Sequence, residues 1–156
     1  MRSFNLGLST AAAVSALLCC APPASAAPAG NGTYTVTVVA RNTEQSVVGD
    51  GTSQGSEITV AQDLYRDNQL VGRNVANCRI ARTVTADNSR DMQCLGTFVL
   101  ADGDITGQGR ITFTQAPTDF DLAITGGTGR YRNASGWIHG HVLNDTDTQL
   151  TFYVFR

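Results

Sequence analysis

The 156-residue chain contains no lysine at all. That excludes Schiff-base chemistry, which needs a lysine amine. Charge is sparse, 15% of residues, and no run of basic residues exists. A nucleic-acid partner is therefore not expected, because phosphate binding is built from clustered cations. Histidine occurs only at 139 and 141. A two-histidine, one-carboxylate metal site would need a carboxylate from a neighbouring strand, and no metal-binding cluster stands out, so no metal is expected. No G-x-S-x-G segment marks a hydrolase nucleophile. Beyond residue 26 no stretch has the 3.6-residue apolar period of an amphipathic helix.

What is present begins with an export signal. Arg2 gives a short positive start, residues 8–20 form a small, apolar run too short to span a bilayer comfortably, and Ala24-Ser25-Ala26 offers a cleavage site. We expect residues 1–26 to be a signal peptide cut before Ala27, a secreted product, and no membrane association after cleavage. A lipoprotein alternative at Cys19-Cys20 is disfavoured by the large residues that precede either cysteine. Residues 27–33 read as a small, flexible leader and 34–156 as one domain, long enough for a single core. The remaining chain carries ten arginines against thirteen carboxylates, about −3.

From residue 33 onward the chain is a series of alternating segments broken by turn residues. Thr33–Ala40 reads as a strand, residues 41–55 as a long polar loop, and Ser56–Tyr65 and Leu70–Val84 as the second and third strands. Met92–Leu100, residues 105–115, Asp119–Thr125, Trp137–Leu143 and Thr148–Phe155 complete eight. Eight strands with short turns mean an all-β, antiparallel sandwich or barrel. Cys78 and Cys94 fall at symmetric places about the turn between the third and fourth strands, so they face each other if that hairpin is regular. In an exported chain this favours a disulfide, with a reactive pocket thiol as the alternative.

The segment Ala123-Ile124-Thr125-Gly126-Gly127-Thr128-Gly129-Arg130-Tyr131-Arg132-Asn133-Ala134-Ser135-Gly136 is the most distinctive. Three glycines in four positions mark backbone with positive φ or very little room. A phosphate loop would feed a helix, and no helical pattern follows, so a structural turn is the expectation. The segment resembles the signature of the dirigent and allene oxide cyclase barrels, in which plant dirigents carry V-V-G-G-T-G-x-F-R-x-A-R-G. Gln69-Leu70-Val71-Gly72-Arg73 resembles the dirigent K-L-V-G-R, Asp63-Leu64 sits where dirigents have the second Asp of D-D-P-L, and residues 150–155 resemble the closing strand of the cyclases. Ser135 stands where the plant motif has arginine, which bears against the plant coupling chemistry.

The resemblance implies an eight-stranded antiparallel β-barrel that needs no cofactor. It implies a reactive, apolar or phenolic small molecule as partner, guided to one ring closure or coupling. It implies a homotrimer, since the plant relatives form trimers, with a homodimer as the alternative. Asp63 matches the dirigent pocket aspartate and is the candidate catalytic group, with Asp121 a weaker one; a carboxylate facing a barrel interior has a raised pKa suited to acid–base work. The expected ligand-binding set is Tyr65, Arg73, Arg130, Tyr131 and Arg132, with the last three forming a clamp at the barrel mouth. A non-catalytic binding or cell-surface barrel is the second hypothesis.

Overall fold

A computed structural model describes residues 32–114 and 118–155. The signal peptide and most of the leader lie outside the described residues, as does the expected break at Ala116-Pro117. Eight strands close into one antiparallel barrel in chain order. They are β1 (Thr33–Val48), β2 (Glu57–Arg66), β3 (Gln69–Val84), β4 (Ser89–Leu100), β5 (Gly103–Phe113), β6 (Asp119–Gly127), β7 (Ser135–Val142) and β8 (Asp147–Phe155). The barrel closes where β1 pairs with β8, from Thr33 opposite Phe155 to Arg41 opposite Asp147. Closure pairs both edges of β1 as far as Arg41.

The period of two sends alternate side chains inward. Val38 and Ala40, Leu64, Ile80, Met92 and Phe98, Ile105 and Ile111, Leu122 and Ile124, Ile138, and Leu150, Phe152 and Val154 are all buried. Phe98 and Phe152 meet edge to face, 5.0 Å between ring centres, and set a floor across the barrel.

Below that floor the barrel is plugged. Thr128 to Asn133 folds under it, with a 3-10 turn at Gly129–Tyr131 that buries the Tyr131 side chain among the core residues. The glycine corner lies flat against the β4–β5 turn: Thr128 N–H donates to Asp104 O, Arg130 N–H to Asp102 O, and Asp104 N–H to Thr128 Oγ1. Gly129 has φ +55, and a Cβ there would stand 2.4 Å from Asp102 O, so any side chain would break the seam. The signature segment is thus a structural plug, and the turn expected there is a turn.

The other end is open and asymmetric. The polar stretch after Ala40, expected as loop, instead continues β1 to Val48 through a bulge at Thr43. Its outer half pairs only with β2, so it shows no buried face and no apolar alternation. The β1–β2 hairpin therefore stands above the rim on one side, beside the equally tall β3–β4 hairpin, whose pairing runs to Val84 opposite Ser89. Asp50 holds the loop of the first, accepting from Thr52 and Ser53 N–H and from the Ser53 and Ser56 hydroxyls.

Candidate functional site

The open end leads into a cavity of about 540 Å³ that runs down to Phe98. That is ample for a small organic molecule. Its wall is mainly apolar: Ile58, Val60, Ala76, Met92, Ile111, Phe113, Phe120, Leu122 and Leu150 contribute. Space for the rings comes from glycine. A Cβ at Gly140 would lie 2.1 Å from Phe120 Cζ, so the end of that ring occupies the place a side chain would take.

Cys78 and Cys94 are directly opposite in the β3–β4 ladder and are bonded, S–S 2.01 Å. The disulfide is as expected, and it lies in the cavity wall. Cys94 is buried, which places the same-parity residues Met92 and Arg90 on the inner face as well. Arg90 at the rim donates from Nη1 to Gly51 O, 3.0 Å, and so ties the β1–β2 loop to the mouth. Arg90 and Asp145 are the only ionisable side chains in the described lining, and both are at the rim.

Three amides cross the inner wall in register. Gln62 is opposite Asn42 and Asn74 is opposite Gln62. Gln62 Nε2 donates to Asn42 Oδ1 at 2.7 Å, and Asn74 Nδ2 donates to Gln62 Oε1 at 2.6 Å. Asn74 is 3% exposed, and its Oδ1 is buried without a hydrogen-bond partner.

The residues singled out from the sequence lie elsewhere. Asp63 alternates with the inward Gln62 and Leu64, so its carboxylate is carried to the outer face, between Arg41 and Arg73 in the neighbouring strands. Tyr65 shares that outer parity and lies under the Arg41 guanidinium, 5.2 Å from ring centre to Cζ. Arg73 is exposed on the same face. Asp121 is also outside, where its carboxylate meets His139 Nδ1 at 2.9 Å; Asp119 meets His141 Nδ1 at 2.6 Å beside it. Among the described residues no group of three or more histidines, cysteines and carboxylates could hold a metal. Arg130, Tyr131 and Arg132 are at the plugged end, opposite the mouth, where Arg130 lies 3.6 Å from Asp102. The expected clamp is thus at the wrong end to meet a molecule in this cavity.

The outer surface holds one ion network the sequence did not suggest. Asp91 accepts from Thr112 Oγ1 (2.6 Å), from Arg82 Nε and Nη2 (3.0 and 2.5 Å) and from Arg110 Nη1 (3.2 Å). The Thr112 hydroxyl first, then the two guanidiniums, holds its carboxyl below the usual carboxylate range. Asp147 is likewise lowered, chiefly by Arg41, which binds it through Nε and Nη2 at 3.1 and 3.3 Å.

A closed eight-stranded barrel with one plugged end and one small-molecule-sized lumen defines the class. The chain belongs to the allene oxide cyclase barrel-like domain family, whose model matches residues 34–155. No curated protein sequence matches it. Among solved structures it is similar to a pyocyanin demethylase, with 24% identity, TM-score 0.69, and coverage of 78% of this chain and 99% of that one. It is also similar to AbnU, described as an exo-specific intermolecular Diels-Alderase, with 14% identity, TM-score 0.66, and coverage of 80% and 99%. The Diels-Alderase AbmU from Streptomyces koyangensis shares 12% identity and TM-score 0.65, over 83% of this chain and 70% of that one.

Proposed function

We propose that this is an exported barrel that takes one largely apolar small molecule into its lumen through the open end and restricts it to the conformation from which a ring closure or coupling proceeds. The lumen itself carries this reading: about 540 Å³, apolar, closed beyond Phe98 and open at the tall hairpins. Solved relatives of the same fold described as Diels-Alderases support it.

Below the rim, no ionisable side chain appears in the described lining. Such a wall is suited to reactions that need no proton transfer from the protein. What it contributes is shape: freezing rotations and excluding unproductive conformers, an advantage that reaches about 7–11 kcal/mol in well-oriented systems. The same observation favours, as the second reading, a barrel that binds and carries its molecule without changing it.

The neutral dye N-phenyl-1-naphthylamine tests the lumen. Its fluorescence should rise on binding, and Ala76→Trp, which fills the cavity from β3, should abolish the rise while the protein stays folded. A rise that survives Ala76→Trp would place binding outside the barrel and overturn the proposal. Native mass spectrometry of the protein exported by its own cells then separates the two readings. A captured molecule converted on incubation supports cyclisation or coupling; one recovered unchanged supports carriage.

A further inference from the structure

We infer that the Asn42–Gln62–Asn74 ladder is a polarity reader, and that the molecule the lumen takes is neutral and carries a hydroxyl or N–H donor at its buried end. This rests on the lumen reading above and adds the chemical class of the ligand.

Three carboxamides in register can be linked in only two ways. In the observed direction each inner amide donates toward the rim, from Asn74 to Gln62 and from Gln62 to Asn42. The inner end then presents an acceptor, Asn74 Oδ1. Reversing all three would present a donor there instead. Either way one polar atom at the inner end is left over, because Phe98 follows Asn74 in the same register row and offers nothing to bond. A buried polar atom without a partner is costly, so a ligand group that satisfies it gains more than an exposed hydrogen bond would give.

The space beside that oxygen is kept by glycine. Gly96 is the neighbouring inner residue on β4, and a Cβ there would stand 3.5 Å from Asn74 Oδ1 and 3.3 Å from the Phe98 ring. Gly96 and Asn74 both line the cavity. The acceptor therefore lies just behind the lumen floor, out of water contact and bordered by the Phe98 ring, so a ligand group reaches it by pushing that ring aside. Nothing charged faces it, so an anionic or cationic group brought to this depth would be unpaired, and a neutral donor fits.

Displacement of N-phenyl-1-naphthylamine by 2-naphthol and by 2-methoxynaphthalene tests the inference. The methyl ether is the more apolar, so burial alone ranks it first. We expect the reverse, with 2-naphthol about tenfold tighter. Asn74→Leu should abolish that preference while keeping affinity for the ether. Gly96→Ala, which keeps the oxygen but closes the gap, should reduce the preference as well, and it serves if Asn74→Leu does not fold. If 2-methoxynaphthalene binds wild-type protein as tightly as 2-naphthol, or if the preference survives both substitutions, the inference fails while the lumen reading stands. If neither compound displaces the dye, this inference falls, while the lumen reading stands or falls with the dye and Ala76→Trp.

Discussion

At the residue scale, what decides a side chain's role in this barrel is parity. Asp63, Gln62 and Leu64 are consecutive, yet only the latter two reach the interior. The second strand could not be oriented from its own pattern: Val60, Gln62 and Leu64 on one side and Ala61, Asp63 and Tyr65 on the other each mix apolar and polar groups. Asp63→Asn should therefore leave lumen binding of the dye unchanged; a clear loss of affinity would return that carboxylate to the site. Gly140 is an opposite case, an inconspicuous residue with a large expected effect. Its missing Cβ is the room that Phe120 occupies, so Gly140→Ala should destabilise by about 1–3 kcal/mol in urea unfolding. Trimming the ring as well, by Phe120→Leu, should recover part of that loss. Full additivity of the two changes would show that the ring and the glycine are not coupled.

At the element scale, the β3–β4 hairpin carries both the disulfide and the Asp91 network. The Cys78–Cys94 bond closes a sequence separation of 16. Reduction should therefore lower the unfolding free energy by about 3 kcal/mol, measured by denaturant melts with and without reductant. Two thiols that label in the unfolded, unreduced protein would deny the bond. Strand number, order of turns and this pairing were legible in the sequence because apolar alternation, turn residues and cysteine symmetry are local signals. The outer half of β1 was not, because a strand that rises above the rim buries neither face and so shows no period. The amide ladder was half-legible. Asn74, Ala76 and Cys78 share one side of β3, but that this side is the inner one follows only from Ile80 and Cys94 being buried, a fact about the closed barrel. The glycine signature was legible as a turn, but its Arg130–Arg132 stretch was expected at the mouth and belongs to the plug.

At the scale of the whole molecule, the depressed carboxyls cluster at the open end. Asp50, lowered chiefly by Ser53, Asp87 by Ser89, Asp91 by Thr112 and Asp147 by Arg41, all belong to the rim hairpins or the strand ends beside them. Each has a folded pKa below its unfolded value, so its contribution is fully present above the ordinary carboxylate pKa of about 3.9 and is lost as pH falls through the folded value. Melting temperature should be level from about pH 7 to 5 and fall below about pH 4. Hydrogen exchange under acid should rise first in the mouth hairpins, and a first rise at the Tyr131 plug would contradict that order. The plug also has a kinetic meaning. A tube closed at one end is a cul-de-sac, and whatever leaves must leave by the door through which the next molecule comes in. Under the proposed ring closure, product and substrate would therefore exclude each other, turnover would not outrun departure, and a molecule that fits too well would become an inhibitor.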